Sequence, residues 1–165
     1  MEGRPEPIDT SKLSFTTVTA ADRKDLDDIE ELELLTFGRA AQNVWGLVPM
    51  IAHGLTTLTR LDGEPVAWSI LLADWRDRHV AFVWSFAVAQ KHHQRGIGMA
   101  LLEHLLARVA ADGFQRVELT VSPTNARALR LLGRAGFTRS AVLPEWYGPM
   151  EDRWLMARQI AAPGT

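Results

Sequence analysis

Apolar and polar positions change their period several times along the chain, and each change marks an element. Leu13 to Val18 alternates apolar and polar residues and is rich in Thr, the period-two pattern of a half-buried strand. Thr19-Ala20-Ala21-Asp22 then opens a helix with Thr19 at its N-cap, and Leu26, Ile29 and Leu32 share one face. Asp25, Asp27, Asp28, Glu30, Glu31 and Glu33 fill the rest; early acidic residues suit the helix dipole, and the run reads as a solvated face. Gly38 breaks this helix, and a second apolar segment runs from Ala40 to Ile51 with Trp45 near its middle. Leu55 to Leu61 and Val66 to Ala73 read as strands joined across Asp62-Gly63, a strong hairpin signal. Val80 to Val88 is apolar on both faces, as a covered central strand is. A helix follows from Ile97 to Asp112 and stops at Gly113. Val117, Leu119 and Val121 then alternate with Glu118, Thr120 and Ser122, a fifth strand. Ser122-Pro123-Thr124-Asn125 ends it and caps a helix over Ala126 to Ala135, closed by Gly136. Phe137 to Val142 is a sixth strand, and Trp154 to Met156 lies in a seventh. Two helices and an antiparallel meander, then strand–loop–helix–strand, make an α+β order with one parallel crossover.

Composition narrows the class. Met1 to Lys12, with Gly3, Pro5 and Pro7, reads as a mobile leader, leaving one domain over 13–160 and a flexible tail over 161–165. At 165 residues and 47% hydrophobic, one domain can bury a sizeable core. A net charge of −2 gives no electrostatic case for binding nucleic acid. Cysteine is absent, which excludes disulfides, thiolate metal sites and a cysteine nucleophile. No apolar run spans a bilayer and the N-terminus lacks the apolar core of a signal peptide, so a soluble cytoplasmic protein without a membrane partner is expected. His92 and His93 are adjacent, share no helical face and have no carboxylate within their motif, so no metal is expected. His53, His79 and His104 read as solvated; Trp68 and Trp84 read as strand core, and Trp45 and Trp146 as candidates to line an acceptor pocket.

The chemistry concentrates in His92-His93-Gln94-Arg95-Gly96-Ile97-Gly98-Met99-Ala100. Two glycines one residue apart at a strand-to-helix turn let the backbone approach a ligand and aim its N–H groups outward. The helix that begins there adds the positive end of its dipole, so the turn suits phosphate, with Arg95 as a fixed cation. This stretch resembles the acyl-CoA pyrophosphate loop of the GNAT superfamily of N-acetyltransferases, Gln/Arg-x-x-Gly-x-Gly/Ala; Gly96 and Gly98 match, and His93 departs at the first place. Asn125-Ala126-Arg127-Ala128-Leu129 through Arg134-Ala135-Gly136-Phe137 resembles a second signature of that superfamily, in the right order and spacing. The resemblance runs from about Val80 to Met156. A dinucleotide-binding α/β protein would need a parallel sheet from the N-terminus, and the hairpin at Asp62-Gly63 argues against it.

The resemblance implies a single GNAT fold: a mixed, mostly antiparallel sheet of about seven strands, helices on both faces, splayed between strands 4 and 5. It implies acetyl-CoA as co-substrate, with the pantetheine arm pairing to the peptide groups of Phe86, Ala87 and Val88. The pyrophosphate would lie against His93, Gln94, Arg95, Gly96, Ile97, Gly98, Met99 and Ala100, with His93 a partial cation beside it, and Asn125 would reach the pantetheine or thiol region. An amide near the splay would polarise the thioester carbonyl. The activity implied is transfer of an acetyl group to an amine, on a small molecule, a peptide or a protein; the nearest pattern is that of the ribosomal-protein-alanine acetyltransferases. Many members place a tyrosine acid in the helix after the fifth strand, and these relatives a glutamate in that strand; the matching residues here are Leu132 and Thr120. Tyr147, the only tyrosine, in Pro144-Glu145-Trp146-Tyr147-Gly148, is the candidate acid, or else a loop aromatic packed on Trp146 or Pro144. Glu118, on the strand face of Thr120, is the candidate base through water, or else a satisfied surface carboxylate. Leu132 keeps open the alternative of a non-catalytic acyl-CoA-binding regulatory domain, and the apolar last strand suits a homodimer.

Overall fold

The computed structural model describes residues 6–160. Among the described residues there are seven strands and four α-helices: β1 (Leu13–Val18), α1 (Arg23–Phe37), α2 (Val44–His53), β2 (Leu55–Leu61), β3 (Glu64–Ala73), β4 (Val80–Val88), α3 (Ile97–Ala111), β5 (Arg116–Val121), α4 (Ala126–Arg134), β6 (Thr138–Leu143) and β7 (Arg153–Gln159). The strands form one sheet in the order β1-β2-β3-β4-β5-β7-β6, with β4 and β5 the parallel pair in an otherwise antiparallel arrangement. This is the mixed sheet expected from the sequence. The β4–β5 register covers only Val80–Phe82 against Arg116–Glu118 and ends there, whereas β5 stays paired with β7 through Val121 and Trp154.

By compactness the described chain divides into two units, residues 6–72 with 84–104 and residues 73–83 with 105–160. In the first, alternation along the strands sorts side chains into two apolar clusters. Leu26, Ile29 and Leu32 of α1 and Leu47 and Ile51 of α2 pack with Leu58, Trp68, Ile70 and Ala87. Ala67, Phe86 and Val88, the intervening strand positions, pack instead with Ile97 and Leu101 of α3 and with Leu13 and Phe15. Helices thus cover both faces. Asp62 and Gly63, at φ 49° and 88°, close the β2–β3 hairpin as a two-residue turn between Leu61 and Glu64. Within the expected leader, Thr10–Lys12 form a 3-10 turn capped by Asp9, and the Ile8 N–H donates to the Arg95 carbonyl at 3.1 Å. Residues 1–5 and the expected tail, 161–165, lie outside the described residues.

Helix α1 departs from the sequence pattern twice. It begins at Arg23 rather than at Thr19, because the Asp22 carboxylate accepts from the Thr19 N–H and hydroxyl at 3.2 and 2.8 Å and holds those residues in a turn. Glu33, assigned by period to the solvated face, is only 2% exposed. Its Oε1 accepts from Trp68 Nε1 at 3.3 Å and from the Ser85 hydroxyl at 3.0 Å, and its Oε2 from the Gln42 N–H at 3.2 Å. One turn earlier, Glu30 accepts from the Val44 N–H at 3.1 Å. The segment leading into α2 folds back over α1 and brings these donors with it, which no single-helix pattern reveals. Asp25 and Asp28 clamp Arg60 of β2 at 2.6 and 2.7 Å. Burial alone would raise the Asp28 carboxyl, but hydrogen bonds from Lys24 and Arg60 outweigh it and hold the group below its ordinary value.

Three smaller expectations also change. Trp68 is buried as expected, but Trp84 is 39% exposed. His104 is not merely solvated, since its ring stacks on Phe15 at 4.4 Å. In the second unit β7 is flanked by β5 and β6 on its two edges, so the last strand of the chain offers no free backbone edge to a second copy; β6 is the edge strand. Arg158 Nη1 donates to the Ala135 carbonyl at 2.5 Å and closes the C-terminal end of α4.

The Glu33 contacts lead to a stability prediction. Glu33→Leu takes the acceptor from the Ser85 hydroxyl and the Gln42 main-chain N–H and leaves the Trp68 indole only its bond to the Ser85 hydroxyl at 3.1 Å, a loss of about 2 kcal/mol, while Glu33→Gln keeps part of the set and loses about half as much. Urea unfolding reads both values, and a Glu33→Leu protein with the wild-type midpoint would contradict the role given to this carboxylate.

Candidate functional site

The glycine stretch lies where β4 gives way to α3. Gln90–His92 form a 3-10 turn, and the residues up to Gly96 link it to Ile97, the first residue of α3. Gln94 (φ 62°) and Gly96 (φ 95°) both lie in the left-handed region, which turns successive main-chain N–H groups toward a common side. The Gly96 carbonyl accepts from the Ala100 N–H at 3.1 Å, so the amides of the first turn, which includes Gly98 and Met99, have no earlier carbonyl of their helix to bond. A Cβ built at Gly96 would meet nothing within 4 Å. Glycine is needed there for its φ, and the space in front of the loop is open.

The side chains around this backbone are engaged in ways the pattern did not reveal. His93 Nε2 lies 2.8 Å from the Val88 carbonyl and must donate to it. One carbonyl of the stretch expected to pair with the coenzyme is thereby taken, and that ring atom of His93 serves the strand. His92, which no pattern in the chain singles out from its neighbour, is 7% exposed and sits 3.3 Å from Arg95 Nη1 through its Nδ1. Glu64, at the start of β3, pairs with Lys91 and lies 3.8 Å from His92 Nε2. The hydrogen bond from Lys91 holds the Glu64 carboxyl below its ordinary value. Two adjacent histidines look alike in a sequence; only the 3-10 turn decides which ring goes inward.

The other candidates belong to the second unit. Asn125 is the N-cap of α4, its Oδ1 accepting from the Ala128 N–H at 3.1 Å. Leu132 is 5% exposed and serves as core. Glu118 is paired with Arg116, Oε1 to Nε at 2.8 Å. Tyr147 is 59% exposed on the β6–β7 loop, where Glu145, Gly148 and Met150 all have positive φ. Its hydroxyl lies 3.4 Å from that of Thr120, and the Arg153 guanidinium sits over its ring at 4.9 Å from the centroid. The phenol is thus brought to Thr120 of β5. Among the described residues no group of three or more His, Asp or Glu is placed to hold a metal ion, and no helix is long and apolar enough to cross a membrane.

The model of the acetyltransferase (GNAT) family matches residues 26–137. L-2,4-diaminobutyric acid acetyltransferase of Nocardia farcinica is 33% identical over 90 residues, 54% of this chain and 47% of that protein. [Ribosomal protein bS18]-alanine N-acetyltransferase of Escherichia coli is 31% identical over 84 residues, 49% of this chain and 57% of that protein. The chain therefore spans about half the length of these relatives. The crystal structure of the ribosomal-protein-S18-alanine N-acetyltransferase from Escherichia coli superposes with a TM-score of 0.80 at 22% identity, covering 92% of this chain and 96% of that one. Arabidopsis thaliana Naa50 in complex with the bisubstrate analogue CoA-Ac-MVNAL gives 0.76 at 19% identity, covering 89% and 98%. These likenesses establish the fold.

Because φ at Gly96 is positive and a Cβ would meet open space, its substitution carries a backbone penalty without a steric one. Gly96→Ala is expected to destabilise the ligand-free protein by about 1–2 kcal/mol in urea unfolding. An unchanged midpoint would mean that the loop relaxes to another conformation.

Proposed function

Because the chain belongs to the acetyltransferase (GNAT) family, we propose that it transfers an acetyl group from acetyl-CoA to a primary amine. The observation that carries this reading is the glycine loop, left-handed at Gln94 and Gly96 and opening directly into α3. Main-chain N–H groups between His93 and Ala100 would hold the pyrophosphate, with Arg95 supplying a cation. The end of the β4–β5 register at Phe82 supports pairing of the pantetheine arm with the peptide groups of Phe86, Ala87 and Val88. Asn125 at the head of α4 would meet the arm near its thiol. The relatives act, by name, on diaminobutyric acid and on a ribosomal-protein alanine, which supports an amine as acceptor without choosing between small molecule and peptide.

In the transfer, the neutral amine nitrogen bonds to the thioester carbonyl carbon as the C–S bond breaks. The nitrogen gives up one proton and the departing sulfur gains one. Tyr147 is the acid of this reading, supported by its contact with Thr120 and by the burial of Leu132 where the family keeps a tyrosine. Glu118, steadied by Arg116, takes the amine proton through water. A main-chain amide near the open end of β4 polarises the thioester carbonyl. The cytoplasm is the compartment of this reading, and a homodimer would have to use a surface other than the edges of β7.

Acetyl-CoA at one hundred times its Kd should stabilise the protein by about 2.7 kcal/mol, read as a melting shift. Gly96→Glu sets a carboxylate in the phosphate position and should abolish the shift; an equal shift in that variant, or none with the wild type, would overturn the coenzyme assignment. Stabilisation without turnover of any amine in a broad panel would select the non-catalytic acyl-CoA-binding reading instead.

Tyr147→Phe separates acid from acceptor contact. If the phenol protonates the thiolate, kcat falls by at least about 10²-fold with little change in acetyl-CoA affinity. If it only binds the acceptor, the acceptor KM rises instead. A Tyr147→Phe enzyme unchanged in both would remove it from the site.

A further inference from the structure

The buried histidine beside the glycine loop has a partner that defines its chemical state. Arginine has only donors, so at 3.3 Å from Arg95 Nη1 the His92 Nδ1 must be the acceptor and carry no proton. The ring proton then lies on the buried Nε2, and the group nearest it among the described residues is the Glu64 carboxylate at 3.8 Å. We infer that His92 is a positioning residue for the coenzyme's phosphates, a neutral imidazole that holds the Arg95 guanidinium at the loop and so removes the need to order that side chain when phosphate binds. The inference rests on the reading of the loop as the pyrophosphate site.

The arginine is otherwise a long side chain whose rotamers would be frozen only on binding. Its carbonyl is already fixed by the Ile8 N–H, so with His92 on the guanidinium both ends of the residue are held. The arrangement has a direction in pH. The charged groups facing the ring are Glu64 from β3, Lys91 from the 3-10 turn and Arg95 itself. Burial pushes the ring below the ordinary histidine range; Glu64 opposes this, while Lys91 and Arg95 add to it. The acceptor role of Nδ1 makes the ring neutral, and burial opposes its protonation. A proton on Nδ1 then cancels the acceptor and sets two like charges face to face, releasing Arg95. Affinity for the phosphates should fall as pH drops, the reverse of what a histidine touching phosphate directly would give.

Dephospho-CoA is the probe, because its pyrophosphate diester does not titrate between about pH 5 and 8. Its Kd is measured by calorimetry across that range for the wild type, His92→Leu, His92→Asn, Arg95→Gln and His92→Leu/Arg95→Gln. His92→Leu should weaken binding about tenfold at neutral pH. His92→Asn, whose Oδ1 stands where Nδ1 was, should recover most of the affinity and lose the acid-side decline that the wild type shows. In the Arg95→Gln background, His92→Leu should add nothing, since the coupling is between these two side chains. Ligand-free melting of each variant separates misfolding from a local effect, and the asparagine and double variants carry the test if the leucine one unfolds early. A wild-type affinity that is flat or rises on acidification, or a His92→Leu loss of the same size with and without Arg95, overturns the inference. If Gly96→Glu binds dephospho-CoA like the wild type, the loop reading itself fails; if it loses binding while His92→Leu keeps it, only the inference about His92 fails.

Discussion

A single buried carboxylate ties together four pieces of the first unit. Glu33 comes from α1, and its donors come from β3, from β4 and from the segment leading into α2. A carboxyl group taken out of water is tolerable only where donors satisfy it, and the Ser85 hydroxyl and the Gln42 N–H depend on it in turn. The mutual dependence fixes where α1 lies on the sheet and how the chain returns over it. Ser85 is also the residue before Phe86, so the same carboxylate steadies the strand whose peptide groups are assigned to the coenzyme. Apolar packing on α1 alone could slide along a helix face; three directed hydrogen bonds cannot.

The loop after β4 applies a related principle at the surface. Its main chain is bent by two left-handed residues and opens into a helix, an arrangement that suits the anion proposed for it. Around it, His93 holds the Val88 carbonyl, His92 holds Arg95, and the Ile8 N–H holds the Arg95 carbonyl. Preorganisation of this kind raises affinity without adding contacts to the ligand. Of the two adjacent histidines, one thus meets the strand and the other the arginine.

The second unit carries the departure in chemistry. Leu132 of α4 is buried, and Thr120 lies on β5. The phenol arrives instead from the β6–β7 loop, with Thr120 beside its hydroxyl and Arg153 over its ring. A thiolate is a tolerable leaving group, so the demand on a positioned acid is modest and can be met from more than one element.

Periodicity and turn chemistry in the sequence were enough to determine the elements. The Leu13–Val18, Leu55–Leu61 and Val80–Val88 strands, the Asp62-Gly63 hairpin and the helix from Ile97 all follow from local side-chain alternation and backbone preference, and the glycine spacing marked the turn from strand into helix. Those signals are local, since a residue's period and φ preference depend on its near neighbours. What only the tertiary structure decided is which polar groups go inward and whom they meet: Glu33 beneath Trp68 and Ser85, His92 rather than His93 against Arg95, Trp84 toward solvent, Tyr147 on Thr120, β7 enclosed by β5 and β6. Each is a pairing between residues distant in the chain or a choice between equivalent neighbours. A hydrogen-bond partner from another element leaves no periodic trace in the sequence, because a buried carboxylate with three donors reads there like any exposed glutamate.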